Sequence, residues 1–309
     1  MSEPTDAPPD EHEVPPGFRC GFAALIGRPN VGKSTLLNAL VGHKLSIVTP
    51  RPQTTRHRVL GLVNLPGAQI AFVDTPGLHH KGGRALNRAM NRTAASAALD
   101  ADLIIWVVEA LRFTPEDELA LSRAQDSGRP IIAVINKVDR VPAKDKLLPY
   151  IAELAARHPF VAVVPLSALK PNDTARLLAQ IAGHLPESPA LFPPEQLTDR
   201  GINFRIAEVI REKLTMELHE ELPYGIAVEI EGLGEEDGQL VAAAVIWVDR
   251  TGHKPIVIGA RGERLKRIGT QARRELNETL GRRLHLTLWV KVREDWADNA
   301  QALKQLGLE

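Results

Sequence analysis

The chain has 309 residues, room for two domains of ordinary size, and 44% of them are hydrophobic, enough to bury a core in each. Its 38 basic and 38 acidic residues cancel, so attraction to nucleic acid or membrane has to come from local clustering. Cys20 is the one cysteine, which excludes an internal disulfide and a cysteine-based zinc site and suits a reducing intracellular compartment, and no apolar run approaches the roughly 18 residues of a membrane span.

Residues 1–17, MSEPTDAPPDEHEVPPG, hold five prolines and five acidic residues with almost no apolar content, which predicts a disordered tail. From 18 to 185, short β-branched runs at 23–26, 70–73, 103–108, 131–135 and 161–165 alternate with helical patterns. Continuous apolar runs of this length suit strands buried on both faces of a mostly parallel sheet. Between 58 and 74 the string RVLGLVNLPGAQIAFVD holds two strands around a turn at 64–67, so one antiparallel pair is expected at an edge. The fold class is a doubly wound α/β sheet.

Within it, Gly27-Arg28-Pro29-Asn30-Val31-Gly32-Lys33-Ser34 satisfies GxxxxGK[ST] between a predicted strand and a helix over 34–40, with Thr35 next in line. Such glycines let amides turn inward around a phosphate chain, and the helix N-terminus adds its positive end. Lys33 is expected at the β and γ phosphates and the Ser34 hydroxyl on Mg²⁺. Asp74-Thr75-Pro76-Gly77 closes the next strand, where Asp74 can hold Mg²⁺ through water and the Gly77 amide can meet a γ phosphate.

Guanine is the base this chain should read. In Asn136-Lys137-Val138-Asp139, after the 131–135 strand, Asp139 can accept from guanine N1–H and the exocyclic amino group. Adenine has no such pair and would strand the carboxylate, at a cost of about 1–3 kcal/mol or more. Asn136 can tie this loop to the phosphate loop, the Lys137 stem can cover the base, and Ser167-Ala168 can bring an amide to guanine O6.

Residues 186–199 carry four prolines and no periodicity, which reads as a semi-rigid linker or a wrapped connector. The region 200–309 then gives a helix near 203–218, strands at 226–231 and 241–249, two helices around 258–280, a strand at 285–292 and a short final helix over 299–308. The order is αββααβ. In the last strand Leu286, Leu288, Val290 and Val292 alternate with His285, Thr287, Trp289 and Lys291, so one face is core. Gly259-Ala260-Arg261-Gly262 is a GxxG ahead of a basic helix, and from Arg250 to Arg293 twelve basic residues face three acidic ones. That cluster is the footprint of a nucleic-acid site, unless the acidic stretch 216–236 balances it.

The order GRPNVGKS, threonine-bearing loop, DTPG, NKVD, SA resembles the translation-factor-related GTPases. With the αββααβ order of a type II KH domain, ELPY at 221–224, VIGARGERLKRIG at 257–269 and LWVKVREDWADN at 288–299, the chain resembles the Era family of bacterial GTPases. The resemblance implies GTP and GDP as ligands, Mg²⁺ held by Ser34, Thr55 and Asp74, and hydrolysis resting on Lys33, Thr55 and Gly77. Thr55 rather than Thr54 would be the switch ligand in the loop TPRPQTTRHR. RNA contact is implied at Lys254, Ile258, Gly259, Ala260, Arg261, Gly262, Arg264, Lys266 and Arg267, with the 3′ end of 16S ribosomal RNA in the 30S subunit as partner. A cytoplasmic protein with a peripheral contact to the inner membrane is implied as well; a monomer is the default expectation.

Leu78 takes the position where many related GTPases carry a glutamine that orients water, so slow intrinsic turnover is expected, accelerated by a partner or a monovalent cation. Leu78 itself borders the nucleotide without a chemical role. Asn30 stands where some GTPases with this substitution coordinate K⁺. His79 and His80 read as surface loop residues. The rival reading is a regulatory switch whose GTP state controls protein contacts, with RNA binding incidental.

Overall fold

The computed structural model describes residues 16–77, 85–218 and 222–308; most of the N-terminal tail and Leu78, His79, His80 and Glu221 fall outside them. The first region runs β1 (Arg19–Ile26), α1 (Lys33–Val41), β2 (Val59–Leu65), β3 (Ala68–Asp74), α2 (Ala85–Asp100), β4 (Leu103–Glu109), α3 (Pro115–Asp126), β5 (Ile131–Asn136), α4 (Leu147–Ala155), β6 (Ala162–Pro165) and α5 (Pro171–His184). The strands form one sheet ordered β2-β3-β1-β4-β5-β6, parallel except for the β2–β3 pair at its edge.

Successive residues of β1 serve opposite faces. Ala24 and Ile26 join α2 and α3 residues such as Ala97 and Leu121, whereas Ala23 and Leu25 join Leu36 and Leu40 of α1 and Leu177 of α5. Two cores, one on each face, explain the continuous apolar runs. Strand order reverses around β1, and the phosphate loop leaves its carboxyl end at that switch point.

The 186–199 segment is annealed to the first sheet. Buried Gln69 of β3 donates to the Phe192 carbonyl at 2.8 Å and accepts from the Leu191 and Phe192 amides at 2.8 and 3.0 Å, and Leu62 N–H donates to the Leu197 carbonyl at 2.9 Å.

The second region is α6 (Ile202–Glu217), β7 (Ile226–Glu236), β8 (Gln239–Val248), α7 (His253–Ile258), α8 (Glu263–Leu280), β9 (Leu284–Val292) and α9 (Ala300–Gln305). β8 pairs antiparallel with β7 and parallel with β9, and α6 and α8 cover one face of this sheet through Ile210, Leu214, Ile268, Ala272 and Leu276. Those helix residues fall at four-residue spacings, which put them on one stripe of each helix. β7 is longer than the expected 226–231: past an irregularity between Ile230 and Gly232, its acidic end goes on pairing with β8. Asn299 caps α9, accepting from the Ala302 amide at 3.0 Å, so the helix begins one residue later than expected.

The architecture is a P-loop α/β domain followed by an α+β type II KH domain. The two domains touch. Leu86 and Met90 of α2 share a core with Ala227, Trp296 and Leu303, and the 42–58 stretch lies on α6 and α8. Among the described residues no helix is long and apolar enough to cross a membrane.

Candidate nucleotide site and RNA interface

The phosphate loop is shaped by one close approach. Gly32 has φ 102°, and a Cβ there would sit 2.4 Å from Asn136 Nδ2, so only glycine fits between the loop and the end of β5. The bond from Leu36 N–H to the Gly32 carbonyl, at 2.8 Å, is the first of α1. The amides of Lys33, Ser34 and Thr35 precede it, have no helical acceptor, and line a cavity of about 400 Å³. Lys33 is buried, and its ammonium donates to the Gly27 and Arg28 carbonyls at 2.9 and 3.1 Å. Burial lowers its pKa to about 8, against the opposing pull of the Asp74 charge.

Arg28, expected to contact the nucleotide, turns its side chain away. The guanidinium pairs with Glu109 at the end of β4 at 2.9 Å and with Asp117 in the first turn of α3 at 3.0 Å, because two carboxylates converge beneath the loop. Asp117 also serves the Thr114 capping box of α3. Arg28 is therefore a brace under the phosphate loop.

Three oxygens meet at the mouth of the loop. Ser34 Oγ lies 2.8 Å from both Thr55 Oγ1 and Asp74 Oδ2, and Thr55 Oγ1 is 3.5 Å from Asp74 Oδ2. Asp74 Oδ1 is buried with no hydrogen-bond partner, and burial raises the carboxyl pKa. An orphaned carboxylate oxygen beside two hydroxyls is a hard-oxygen set that fits Mg²⁺. The neighbouring threonine is engaged elsewhere: Thr54 Oγ1 lies 2.6 Å from Thr49 Oγ1 and 2.7 Å from the Arg51 carbonyl. Thr75 is buried with its hydroxyl on the Leu25 carbonyl at 2.8 Å, Pro76 is buried behind it, and Gly77 packs against Pro29.

At the base end, Asn136 donates to the Val31 carbonyl at 2.9 Å, and its Oδ1 accepts from the Lys137 and Ala168 amides at 2.8 and 3.1 Å. Lys137 reaches the Asn30 carbonyl at 2.7 Å and Glu109 at 3.3 Å. Asp139 is exposed in a 3-10 turn over Val138–Arg140, open to a base. The Ser167 amide is taken by Asp173 at 2.9 Å, and the Ala168 amide is shared with Asn136. Gln53 and Arg140, not singled out in the sequence, also line the cavity. Gln53 belongs to the threonine-bearing loop, and Arg140 directly follows NKVD.

In the KH domain, Gly259 has φ 75° and a Cβ there would meet Arg264 Cβ at 2.7 Å, while Gly262 caps α8 in the left-handed region. Below the GxxG a cleft of about 430 Å³ is lined by Gly262, Leu265, Lys266, Gly269, Arg273 and Leu288, among others. Leu286 and Leu288 looked like core from alternation alone, but β9 is an edge strand and leaves them half-exposed in this cleft. The acidic stretch does balance part of the basic cluster: Arg267 is held by Glu217 at 2.6 and 2.9 Å, Arg282 by Glu235 at 2.6 Å and Lys291 by Glu231 at 2.7 Å. Arg264 donates to the Ile256 carbonyl at 2.5 Å, and Ile258 packs against the core. Among the described residues Lys254, Arg261, Lys266 and Arg273 have no acidic partner, and Lys266 and Arg273 line the cleft.

Fold and sites together define a P-loop GTPase carrying a C-terminal KH domain. The family model described as 50S ribosome-binding GTPase matches residues 22–137, and that of the KH domain matches 221–297. The chain belongs to the Era family of GTPases: it is 46% identical to GTPase Era of Marinobacter nauticus over 95% of this chain and 96% of that one. Against GTPase Era of Stenotrophomonas maltophilia the identity is 48%, over 94% and 97%. Two solved structures superpose with a TM-score of 0.90 at 41% identity, each covering 94% of this chain and 99% of its own. One is a variant of Aquifex aeolicus Era bound to GDP and aluminium fluoride; the other is Era with MgGDPNP and nucleotides 1506–1542 of 16S ribosomal RNA.

Proposed function

We propose that this chain is a Mg²⁺-dependent GTP hydrolase of slow intrinsic turnover that binds 16S ribosomal RNA near its 3′ end and couples the GTP/GDP cycle to assembly of the 30S subunit. The carrying observation is the convergence of Ser34, Thr55 and Asp74, which draws a threonine loop over the phosphate loop. Lys33 and the amides of residues 32–35 bind the phosphates, the Gly77 amide meets the γ phosphate, and Asn136, Lys137, Asp139 and Ala168 read guanine. Ser34, Thr55 and Asp74 hold Mg²⁺, which when bound neutralises charge between the β and γ phosphates. The Thr55 hydroxyl joins that set only with the loop closed, which ties closure to the presence of a γ phosphate.

Slow turnover has a physical reason. Leu78 takes the position of the glutamine that orients water in many related GTPases, and an aliphatic side chain cannot orient it. Asn30, whose amide donates to the Pro50 carbonyl at 3.1 Å, is the residue beside which K⁺ would act, and swapping Na⁺ for K⁺ tests it. The GxxG cleft takes single-stranded RNA, with Lys266, Arg261 and Lys254 on phosphates. A place in the cytoplasm with a peripheral contact to the inner membrane is the accompanying reading from the family, and a monomer is the default.

The test is crosslinking to RNA in bacterial lysate, with the protein loaded once with a non-hydrolysable GTP analogue and once with GDP, followed by sequencing of the captured RNA. Enrichment at the 3′ end of 16S RNA only in the GTP-like state is expected; nucleotide-independent or scattered capture would overturn the coupling.

A further inference from the structure

Thr55 is pinned from both sides by the other domain. On one side, Arg211 of α6 donates to the Thr54 carbonyl. On the other, Arg56 leaves the phosphate site altogether: its guanidinium is buried in the KH domain, donating to the Ile226 carbonyl at 2.6 Å and the Tyr224 carbonyl at 3.3 Å, with the Trp296 ring 5.9 Å away. Adjacent Cα atoms are only about 3.8 Å apart, so anchoring Arg56 anchors the Thr55 backbone. The two side chains part company here, Thr55 toward Ser34 and Asp74 and Arg56 toward β7.

A buried guanidinium is costly unless its N–H groups are met. Burial and the nearby Arg211 charge lower the Arg56 pKa to about 9, while Glu208, bound by Arg211 at 2.7 Å, is the carboxylate that offsets the two cations. The carbonyls that receive Arg56 exist in this position only when the KH domain is seated on the 42–58 stretch, where Glu212 also accepts from the Val48 amide at 2.9 Å and from Lys44 at 2.6 Å. The planar fork sends Nη1 and Nη2 to the two carbonyls in a fixed geometry, which the shorter, flexible stem and point charge of a lysine do not reproduce.

We propose that Arg56 is a positioning residue for GTP hydrolysis: by cradling its guanidinium on the Tyr224 and Ile226 carbonyls, the KH domain holds the Thr55 hydroxyl in register with Ser34 and Asp74. This rests on the reading of Ser34, Thr55 and Asp74 as the Mg²⁺ set. Its consequence is that hydrolysis depends on the seating of the KH domain even without RNA, whereas GDP binding, which has no γ phosphate to recruit Thr55, does not.

The test uses the full chain as Arg56→Ala, Arg56→Lys, Arg211→Ala, the Arg56→Ala/Arg211→Ala double variant and Thr55→Ala, measuring GDP affinity, kcat and KM for GTP. Displacing a catalytic group by a fraction of an ångström to an ångström costs about tenfold to a hundredfold in rate. We expect kcat to fall at least about tenfold in Arg56→Ala and Arg211→Ala with GDP affinity within about twofold, no rescue by Arg56→Lys, and a double variant no worse than either single one. If Arg56→Ala does not fold, Arg211→Ala, which changes only the KH side, carries the test. A parental kcat in Arg211→Ala and in any folded Arg56 variant, with Thr55→Ala inactive, overturns the proposal alone, as does GDP affinity falling in step with kcat. A parental kcat in Thr55→Ala overturns the underlying reading of the site, and the proposal with it.

Discussion

The Asn136 side chain spans the nucleotide site, its amide on the Val31 carbonyl at 2.9 Å and its oxygen on the amides of Lys137 and Ala168. One buried residue thus joins the phosphate loop, the NKVD loop and the Ser167-Ala168 loop. Asn136→Ala removes three hydrogen bonds and leaves their partners unmet, worth about 2–4 kcal/mol. The expected result is a thirtyfold to thousandfold loss of GDP affinity by fluorescent-nucleotide titration, with lower thermal stability.

Asp139 is exposed and meets no described side chain, so its replacement leaves the fold alone. In Asp139→Asn the side chain gains a donor that guanine N1–H and the amino group repel but a xanthine carbonyl accepts. GTP binding should weaken by about two orders of magnitude or more and xanthosine triphosphate binding should improve; unchanged preference in competition binding would remove Asp139 from the base site.

Lys33 sets a pH limit on nucleotide binding. Its pKa is lowered from 10.5 to about 8 in the free protein, chiefly by burial, and phosphates must raise it again because they favour the charged form. Below pH 8 the ammonium is already charged and affinity is flat; above it, binding has to take up a proton. Affinity should fall by up to about tenfold per pH unit above pH 8, read by titration at pH 7, 8 and 9.

The KH cleft makes an asymmetric prediction. Lys266→Ala or Arg273→Ala removes a cation with no described acidic partner, so RNA affinity should drop and the salt slope shrink by about one counterion. Glu217→Gln has the opposite sign: it frees Arg267, now bidentate on that carboxylate, for phosphate, and should tighten binding at low salt. Filter binding across a salt series distinguishes the two.

The motifs were legible because each is local: GRPNVGKS, DTPG, NKVD and GARG place their donors within a turn or two of one another, and strand-ending positions follow from hydropathy alone. Period-two alternation likewise put Leu286 and Leu288 on the inner face of β9, but only the sheet order makes β9 an edge and turns them into cleft walls. Arg28 shows the same limit inside a motif. Its side chain is governed by Glu109 and Asp117, 81 and 89 residues away, which no spacing rule connects to it.

The sequence by itself determined the guanine-nucleotide chemistry and the succession of a P-loop fold and a KH fold, since residue type at short spacing dictates which hydrogen bonds a loop can offer. Tertiary structure alone decided where Arg56 goes, which basic residues are held by carboxylates, and how the 186–199 segment lies. Those outcomes depend on which distant carbonyls and carboxylates arrive beside a charged group, and burial makes such meetings strong enough to choose its direction.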